Sequence, residues 1–466
     1  MIHKNGLFWA DGTSCYYKGN LVQNLSIGSD ANKRTLVGMG AWIVIFPDKK
    51  MYNTFDGTVK NLESEWKQSD HPGNITFAPT FQDSVLTKVT ASGINNSFEI
   101  NDAVTITGCS DAQFNTTKII REKGTDYIII DGVLASSFTV ASGMVFKRKV
   151  PDMDFVCERD NRLWGCSNTN HEIYSSKLGD PTNWNSFEGI STDSYAVTVG
   201  SAGDFTGCVS HLGHVIFFKE HMIHMMYGDR PNNFSLQSQE MPGVRAGCSD
   251  SIEIVNETLF YVGRNGVYSF DGAMPQKISE VITDEITEAV ATQEEGRLYL
   301  SCKMAGTQTI LCYDPRLQIW DKENDEVFKF TAYGEGKGYY IDASNVIKTI
   351  TGNDTEVIEW MIESGDIKEG SLEMKHVGKL MFNLWLAMGT EAMVYIKCDD
   401  SPMWVRKGLI VSDKDMTYTL PIIPERCGKY RYRVMVKGDG KIISSSRAVE
   451  GGTELNGTVH YGYRTN

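Results

Sequence analysis

The sequence lacks the long apolar runs and basic clusters that would direct a chain to a membrane or to nucleic acid. No stretch of its 466 residues approaches the ~18 consecutive apolar residues that span a bilayer. Lys and Arg total 45 against 59 Asp and Glu, which gives a net charge of -14, and no basic run is present. Tight wrapping of a nucleic acid backbone needs clustered cations to replace counterions, so we do not expect it.

An export signal and a disulfide framework are also missing. The first residues, Met1 to Gly6, contain no basic segment followed by a long apolar run, so we expect a soluble chain made in a cytoplasm. The 10 Cys form no CxxC pair and follow no regular spacing. This usage is typical of buried free thiols in a large chain.

The sequence boxes of several common catalytic sites are absent as well. There is no Ser-x-Asp-x-Gly-x-Thr-Trp box of the sialidase type, no Gly-x-Ser-x-Gly elbow and no phosphate-binding glycine loop that opens a helix. Spacing alone does not exclude a carboxylate pair for glycoside hydrolysis, because 59 acidic residues offer many pairs. With no positive signal for catalysis, we predict that the protein is not an enzyme and has no cofactor.

What the chain does contain is a repeated hairpin. The clearest copy, residues Glu257 to Gln276, reads ETLFYVGRNGVYSFDGAMPQ. An aromatic and β-branched strand is followed by an Arg-Asn-Gly turn, a return strand and an Asp-Gly turn. The 44 Gly fit such turns, because the hydrophobic share of 41% is ordinary for a folded protein and does not indicate disorder.

Similar hairpins recur at a period typical of a β-propeller. They occupy residues 5–17, 40–57, 161–184, 213–229, 257–276, 296–320 and 338–354. The starts at 213, 257, 296 and 338 are 44, 39 and 42 residues apart, close to the ~40–45 residues of one four-stranded blade. The pattern predicts an all-β fold with a six- or seven-bladed β-propeller. Seven blades follow if each hairpin is one blade, and six follow if the N-terminal hairpin completes the last blade.

Two further bodies interrupt and follow the repeats. Residues 79–149 contain short strands between Gly, Asn and Asp turns and predict an inserted small β-domain. The propeller would then comprise residues 1–78 and 150–354. Longer alternating strands within residues 355–466 predict a C-terminal β-sandwich-like domain.

One segment has helical rather than strand periodicity. Residues 279–292, SEVITDEITEAVAT, place apolar residues at 3.6-residue spacing, and Ser279 is a suitable N-cap. The pattern predicts a surface helix or helical turn between two blades.

Four of the 9 His fall in one hairpin, at His211, His214, His221 and His224, and form the strongest metal-like signal in the chain. Residues three apart along a regular strand point to opposite faces. We therefore expect neither His211 with His214 nor His221 with His224 to chelate an ion, and Glu220 is the one carboxylate nearby. The sequence predicts no metal site.

Aspartates and tryptophans near the hairpin ends are the other candidate residues. The pairs Asp180 with Trp184 and Asp314 with Trp320 resemble the aromatic and carboxylate of a sugar platform. However, Asp before Pro or Gly accepts backbone hydrogen bonds in turns, and a Trp that ends a repeat packs between sheets. We therefore predict no catalytic or cofactor-binding role, and assign structural blade turns and closing aromatics as follows: Asp56, Gly57, Asp180, Trp184, Asp271, Gly272, Asp314 and Trp320.

Several of these runs resemble the propeller of tailed-bacteriophage tail nozzle and packaged-DNA stabilisation (neck) proteins. The runs are residues 161–187 (NRLWG…EIYSSKLGDPTNWNSF), 266–279 (GVYSFDGAMPQKIS) and 309–320 (TILCYDPRLQIW). Residues 420–438 (LPIIPERCGKYRYRVMVKG) are similar to the terminal β-domain of many of these phage chains. The resemblance covers most of residues 1–460, and the insertion at 79–149 departs from it.

The resemblance implies a virion structural protein of the tail or neck that is assembled in the host cytoplasm. Members of the family form a ring, usually of six copies, below the portal and adaptor rings, which retains the packaged DNA and gives it an exit channel. The net charge of -14 is compatible, since an acidic lining repels phosphates and lets DNA pass without sequence-specific binding. The alternative function is a carbohydrate-recognising or glycan-cleaving propeller used for receptor binding.

Overall fold

The computed structural model is all-β and describes residues 1–29, 34–80, 85–352, 357–368, 376–422 and 426–450. The chain forms two compact units, Met1–Gly352 and Asn353–Asn466. The helices in the described residues are single 3₁₀ turns at Gln68–Asp70, Ile94–Asn96, Ala112–Phe114, Pro231–Asn233 and Ser249–Ser251. None of them has the length or apolar character needed to cross a membrane.

The first unit is a β-propeller, whose described residues form seven small antiparallel sheets. Each sheet keeps its strands in chain order, and each of the seven predicted hairpins supplies its second and third strands. We number the sheets as blades 1 to 7. Blade 1 comprises Ile2–His3, Leu7–Asp11, Ser14–Tyr17 and Asn20–Ser26; blade 2 Thr35–Met39, Trp42–Phe46, Lys50–Asn53 and Val59–Asn61; blade 3 Phe155–Arg159, Arg162–Ser167, Glu172–Ser175 and Tyr195–Thr198; blade 4 Gly207–His211, His214–Lys219, Met222–Tyr227 and Ser235–Glu240.

The remaining blades follow the same order. Blade 5 comprises Glu253–Val255, Thr258–Gly263, Gly266–Phe270 and Gln276–Lys277; blade 6 Ile286–Glu294, Arg297–Met304, Thr307–Asp314 and Ile319–Lys322; blade 7 Phe330–Gly334, Lys337–Ile341 and Ile347–Thr349. The first strand of blade 7 contacts the first strand of blade 1. At this junction the His3 ring stacks on Tyr339 with centroids 5.9 Å apart. The series of blades therefore closes on itself.

The middle strands of the blades are apolar on both faces because each blade is covered by a neighbour on either side. In blade 5, Leu259, Phe260, Tyr261 and Val262 are all buried. This pattern explains why the hairpins read as continuous apolar runs and not as the alternating pattern of a half-exposed sheet. All ten cysteines are thiols outside any disulfide and are buried or partly buried, as their spacing predicts; six of them lie on blade strands, at residues 15, 157, 166, 208, 302 and 312.

The inserted body contains one eight-stranded sheet. Its strands, in spatial order, are Phe138–Val140, Ile75–Pro79, Leu86–Thr90, Tyr127–Asp131, Thr117–Gly124, Ala103–Thr107, Val145–Arg148 and Ser64–Lys67. The buried Gln68 side chain, which directly follows the last strand in this order, links it to the first strand. Its amide N–H donates to the Val140 carbonyl at 2.9 Å, and its amide oxygen accepts from the Met144 N–H at 3.3 Å. The inserted body therefore begins near residue 64, since its sheet includes Ser64–Lys67 and Ile75–Pro79, whereas the sequence predicted that the propeller extends to residue 78.

The second unit contains two facing sheets, as expected for a β-sandwich. One sheet has the strand order Glu359–Glu363, Tyr430–Lys437, Glu391–Cys398 and Val405–Val411; the other has Met416–Ile422, His376–Leu386 and Gly440–Glu450. Phe382 and Leu384 of the second sheet share a buried cluster with Val394 and Val434 of the first. This apolar layer holds the two sheets together.

The predicted helix at 279–292 is wrong. Residues 286–294 form the long first strand of blade 6, paired with Arg297–Met304, and Ser279 lies in a turn in which Ile282 N–H donates to its carbonyl. The apolar spacing arises because Ile286 and Ala289 face the blade 5 and blade 6 core, and a bulge between Ile286 and Glu288 shifts the register. Pairing with a buried neighbour strand outweighs a weak helical preference.

Trp184 is the closing aromatic between blades 2 and 3. It is 2% exposed, packs in one cluster with Val44 of blade 2 and Leu163 of blade 3, and donates its Nε1–H to the Pro181 carbonyl at 2.9 Å. The indole therefore fills the space between two sheets, as a structural residue would.

We predict that Trp184→Ala lowers the free energy of unfolding of the first unit by about 3–5 kcal/mol, because a large buried side chain would leave a cavity. The measurement is the denaturant midpoint followed by far-UV circular dichroism. Phe187→Ala is the matched control, since Phe187 lies in the same segment but is 60% exposed. Equal midpoints for the two variants would contradict the packing role.

Candidate functional site

The predicted turn aspartates occupy equivalent local positions in four different blades. In each, Oδ1 accepts from the backbone N–H two residues further along: Thr58 at 2.9 Å for Asp56, Thr182 at 2.9 Å for Asp180, Ala273 at 3.2 Å for Asp271 and Arg316 at 2.9 Å for Asp314. Gly57 and Gly272 follow with φ of +75° and +102°, a conformation that favours glycine. These residues are not brought together into one site.

The Asp314 and Trp320 pair shows what a blade ending does. The Arg316 guanidinium hydrogen-bonds the Asp314 carboxylate and, with backbone donors, lowers its pKa to about 2. Trp320 packs on Tyr313 with centroids 4.7 Å apart and donates its Nε1–H to the Ile278 carbonyl of the preceding blade at 2.9 Å. The carboxylate and the indole are therefore engaged in local contacts.

The histidines of blade 4 are arranged differently from the prediction. His211 and His214 flank a two-residue turn and are directly paired across the hairpin, so they lie on the same face. The expectation that His211 and His214 point to opposite faces is wrong, because the two residues lie on two paired strands and not on one. Both line a cavity of about 260 Å³ with Tyr227, Asp271 and Gly272.

Each of the two imidazoles in this cavity has one buried ring nitrogen that its described neighbours leave without a hydrogen bond. His211 is 4% exposed and hydrogen-bonds the backbone of Phe270, and burial lowers its pKa. His211 Nε2 and His214 Nδ1 are buried and make no hydrogen bond with the part of the chain that the structure describes. Among the described residues, no group of three or more His, Cys, Asp or Glu side chains is placed to hold a metal ion.

His221 and His224 are separated as predicted. His221 is exposed in the turn, whereas His224 is fully buried. The His224 Nδ1 is 2.6 Å from Ser238 Oγ and its Nε2 is 3.0 Å from Ser201 Oγ. Burial, together with the nearby Lys219 charge, lowers the His224 pKa to about 4. Its role is a buried polar contact within the fold.

A cavity with a mainly apolar lining lies at the junction of blades 7 and 1. It has a volume of about 600 Å³ and is lined by aromatic and aliphatic side chains with a few polar groups among them: Trp9, Leu36, Phe330, Ile341, Val346 and Ile347, with Asp11, Ser29, Arg34 and Asn345. Trp9 stacks on Tyr16 with centroids 5.3 Å apart, which fixes its ring. We call this cavity the seam cleft. Its size and mixed lining are those of a small-molecule site.

The seam cleft was missed by the sequence analysis. Its walls come from residues 1, 9–12, 29, 34–36 and 330–347, and no local motif links segments so far apart. Their meeting depends on ring closure. The only usable signal was the pairing of an aromatic residue with a polar neighbour at Trp9 and Asp11, and that pattern is common.

The sandwich presents an apolar row on the outer face of its four-stranded sheet, with exposed side chains at the two ends and half-buried ones between them. Met361 pairs with Met435, Met435 with Met393, and Met393 with Leu409, so the four side chains follow one another across the strands. Met361 is 51% exposed and Leu409 is 47% exposed. We call this set the methionine row. Methionine is common on surfaces that bind other proteins because its side chain adapts to a partner.

Charged residues border the methionine row. On one side Arg433 pairs with Glu363 at 2.7 Å, and on the other Lys437 pairs with Glu359 at 3.0 Å. An apolar strip with a polar rim has the anatomy of a protein interface.

No protein-family model and no curated protein matches the chain. Solved structures resemble its fold at low identity. An exo-β-1,3-galactanase from Phanerochaete chrysosporium is 8% identical over 63% of this chain and 95% of that chain, with a TM-score of 0.24. An acylaminoacyl peptidase from Pyrococcus horikoshii is 9% identical over 65% and 57%, with a TM-score of 0.26, and Hsv2 from Kluyvelomyces marxianus is 9% identical over 68% and 93%, also at 0.26. Such likeness concerns the fold and assigns no residue a role.

The prediction that the protein is not an enzyme is wrong, because it was drawn from the absence of known sequence motifs. Solved chains with a similar fold include a galactanase and a peptidase. A propeller draws its central residues from several blades, so catalytic groups need not form a recognisable sequence box. The missing motifs therefore exclude particular chemistries and not catalysis as such.

We predict that, as the pH is lowered from 6.5 to 4, the free energy of unfolding of the wild type falls more steeply than that of His224→Gln. The folded pKa of His224 is lowered to about 4, whereas an unfolded histidine titrates near 6.5. As the pH falls, the unfolded state binds the proton before the folded state does. The stability contributed by neutral His224 is therefore fully present above pH 6.5 and is lost as the pH falls towards 4. The expected loss in the free energy of unfolding across this range is about 3 kcal/mol.

Denaturant midpoints measured across this pH range test the prediction for the wild type, His224→Gln and the control His221→Gln. His221 is exposed, so its replacement should leave the pH slope unchanged. Parallel pH profiles for the wild type and His224→Gln would contradict the assignment.

Proposed function

We propose that the chain is a structural subunit of a tailed-bacteriophage tail, in a nozzle or neck ring that retains packaged DNA and gives it an exit channel. The observation that carries the proposal is the methionine row on the sandwich. Apolar surface exposed to water is unfavourable, so a continuous apolar row of this kind indicates a surface that a partner protein covers. A subunit of a large assembly needs such a surface.

The positions of the phage-like runs support the same proposal. Residues 161–187 form the middle hairpin of blade 3 and the segment after it, whereas residues 266–279 and 309–320 lie on the third and fourth strands of blades 5 and 6. The resemblance therefore falls mainly on the framework of the ring of blades. That distribution suits a protein whose function depends on shape and assembly.

The proposed DNA channel would be formed between copies and not within one propeller. The cavity lined by the first strands of blades 2 to 4 and the segment before blade 5 measures about 130 Å³ and contains Asp154 and Asp250. A DNA duplex does not fit such a space, since its major groove alone is ~12 Å wide. In the proposed assembly, which we expect to be a hexamer, several acidic subunits surround the duplex and repel its phosphates. Its partners would be the portal and adaptor and other tail proteins.

A second candidate function is recognition or cleavage of a carbohydrate, and the seam cleft favours it. An aromatic ring such as Trp9 can pack on the apolar face of a sugar, while Asp11, Arg34 and Asn345 supply hydrogen bonds to hydroxyls. Its volume of about 600 Å³ is sufficient for a short oligosaccharide. This function is compatible with a place on a virion that contacts the host surface.

We expect antibody-labelled electron microscopy of virions to place the protein at the tail axis, in a ring with a central channel. Images of the purified protein serve as the comparison, because the protein can be monomeric before it docks on its partners in the virion. Absence of the label from the tail would contradict the phage proposal.

For the carbohydrate function, a glycan array should show binding that is lost with Trp9→Ala. Phe55→Ala is the control, since Phe55 is an aromatic side chain that is 93% exposed and lies outside the cleft. Binding that is unchanged by Trp9→Ala would exclude the seam cleft as the glycan site.

A further inference from the structure

Blade 7 has three strands in the part of the chain that the structure describes, whereas each of the other six blades has four. Its third strand, Ile347–Thr349, therefore has an open outer edge. The next described strand along the chain is Glu359–Glu363, and it pairs with Tyr430–Lys437 of the sandwich. The described residues thus supply no fourth strand to blade 7.

The open edge of blade 7 carries main-chain groups that another strand can bind. Ile350 N–H donates to the Gly338 carbonyl at 2.9 Å, so these two residues form a hydrogen-bonded pair between the third and second strands. Bonded and non-bonded pairs alternate along antiparallel strands. Lys348 therefore directs its main-chain groups inward, and Ile347 and Thr349 direct theirs to the open edge.

The two faces of blade 7 meet different neighbours. Tyr340 lies in a buried cluster with Tyr299 of blade 6. Ile341 follows it and points the other way, since it lines the seam cleft together with Trp9 of blade 1. Ile347 is the cross-strand partner of Ile341 and shares that face. Every second side chain of a strand added at the edge would likewise point towards blade 1.

Blade 1 presents an apolar row to the same junction. Phe8 packs on Tyr52 of blade 2 with centroids 5.7 Å apart, so the next residue, Trp9, points towards blade 7. Trp9 pairs with Tyr16, and Tyr16 pairs with Leu21 on the outermost strand. We call these three residues the blade 1 row. Tyr16 is half-buried and Leu21 is 48% exposed.

The open edge and the blade 1 row favour the same occupant, which is an extended polypeptide. The row crosses the second, third and fourth strands of blade 1, and the described residues of blade 7 offer no counterpart to the strand that carries Leu21. An added strand binds the edge through its main chain, and apolar side chains at its alternate positions cover the row. The other six blades show that a strand fits at this position of a blade.

We propose that an extended segment of another protein chain completes blade 7 by pairing antiparallel with Ile347–Thr349 and packing apolar side chains on the blade 1 row. The inference rests on the proposed tail assembly for the source of this segment, which is a neighbouring tail protein. It deepens that function by naming a docking site on the propeller. Main-chain hydrogen bonds supply affinity, and the side chains that face the row supply specificity.

The test titrates the full-length protein into fluorescein-labelled peptides of the sequence Lys-Thr-Val-Thr-Val-Thr-Lys, with Leu or Phe in place of both Val in two further peptides. The alternate apolar residues match the face of the row. We expect saturable binding of at least one peptide in fluorescence anisotropy, and slower hydrogen exchange at the Ile347 and Thr349 amides. A control peptide with N-methyl groups on both Val residues should not bind, because it lacks the N–H groups that pair with the edge.

Three variants locate the binding site. Leu21→Asp puts a charge on the blade 1 row and should weaken binding roughly tenfold or more. Thr349→Pro removes an outward N–H at an edge, where proline is tolerated, and should also weaken binding. Leu178→Asp is the matched control, since Leu178 is 42% exposed in the segment after the third strand of blade 3. Unchanged far-UV circular dichroism verifies that each variant is folded.

The outcomes separate this inference from the proposed function. Binding that is lost in Leu21→Asp and Thr349→Pro and kept in Leu178→Asp supports strand addition. Absence of saturable binding for all three peptides, or binding that both edge variants retain, overturns it and leaves a location in the tail standing. Peptide binding by a protein that is absent from the tail supports strand addition and overturns the tail function. Self-association that the peptide displaces would place a second copy at the edge and overturn the assignment to a different protein.

Discussion

The propeller depends on the burial of each blade's middle strands against the blades on either side. Buried apolar clusters are shared between blades 1 and 2, blades 2 and 3, blades 3 and 4, blades 4 to 6, and blades 6 and 7. Burying one large apolar side chain contributes about 1.5–3 kcal/mol. A single blade has no other blade to cover its faces, so stability arises from the array and not from any one sheet.

The junction of blades 7 and 1 differs from the other junctions. None of the described core clusters spans it, and the contact instead includes the His3 and Tyr339 stack and the half-buried walls of the seam cleft. Closing the ring there joins the two ends of the repeat array, which are far apart in the sequence. The weaker burial leaves room for the seam cleft, whose size and apolar lining suit a small ligand.

The inserted body and the sandwich differ in the chemistry of their contacts and surfaces. Polar contacts tie the inserted body to the loop after the third strand of blade 3, since Arg121 pairs with Glu188 at 2.5 Å and the Asn183 side chain donates to the Asn101 carbonyl at 2.6 Å. The sandwich has its own apolar core and presents the methionine row on the outer face of its four-stranded sheet. Its exposed chemistry is therefore that of an association module, whereas the inserted body is anchored through its charges.

The sequence by itself determined the repeat, the strand pairs and the local roles of residues such as Trp184 and Asp314, because hairpins, Asx turns and apolar runs are set by neighbours in the chain. It did not determine that residues 64–78 belong to the inserted body, that 286–294 is a strand, or that His211 faces His214. Those outcomes depend on which distant or adjacent strands pair. Tertiary structure alone decided the seam cleft and the methionine row, since side chains from distant segments meet only when a ring closes or a sheet assembles in one register.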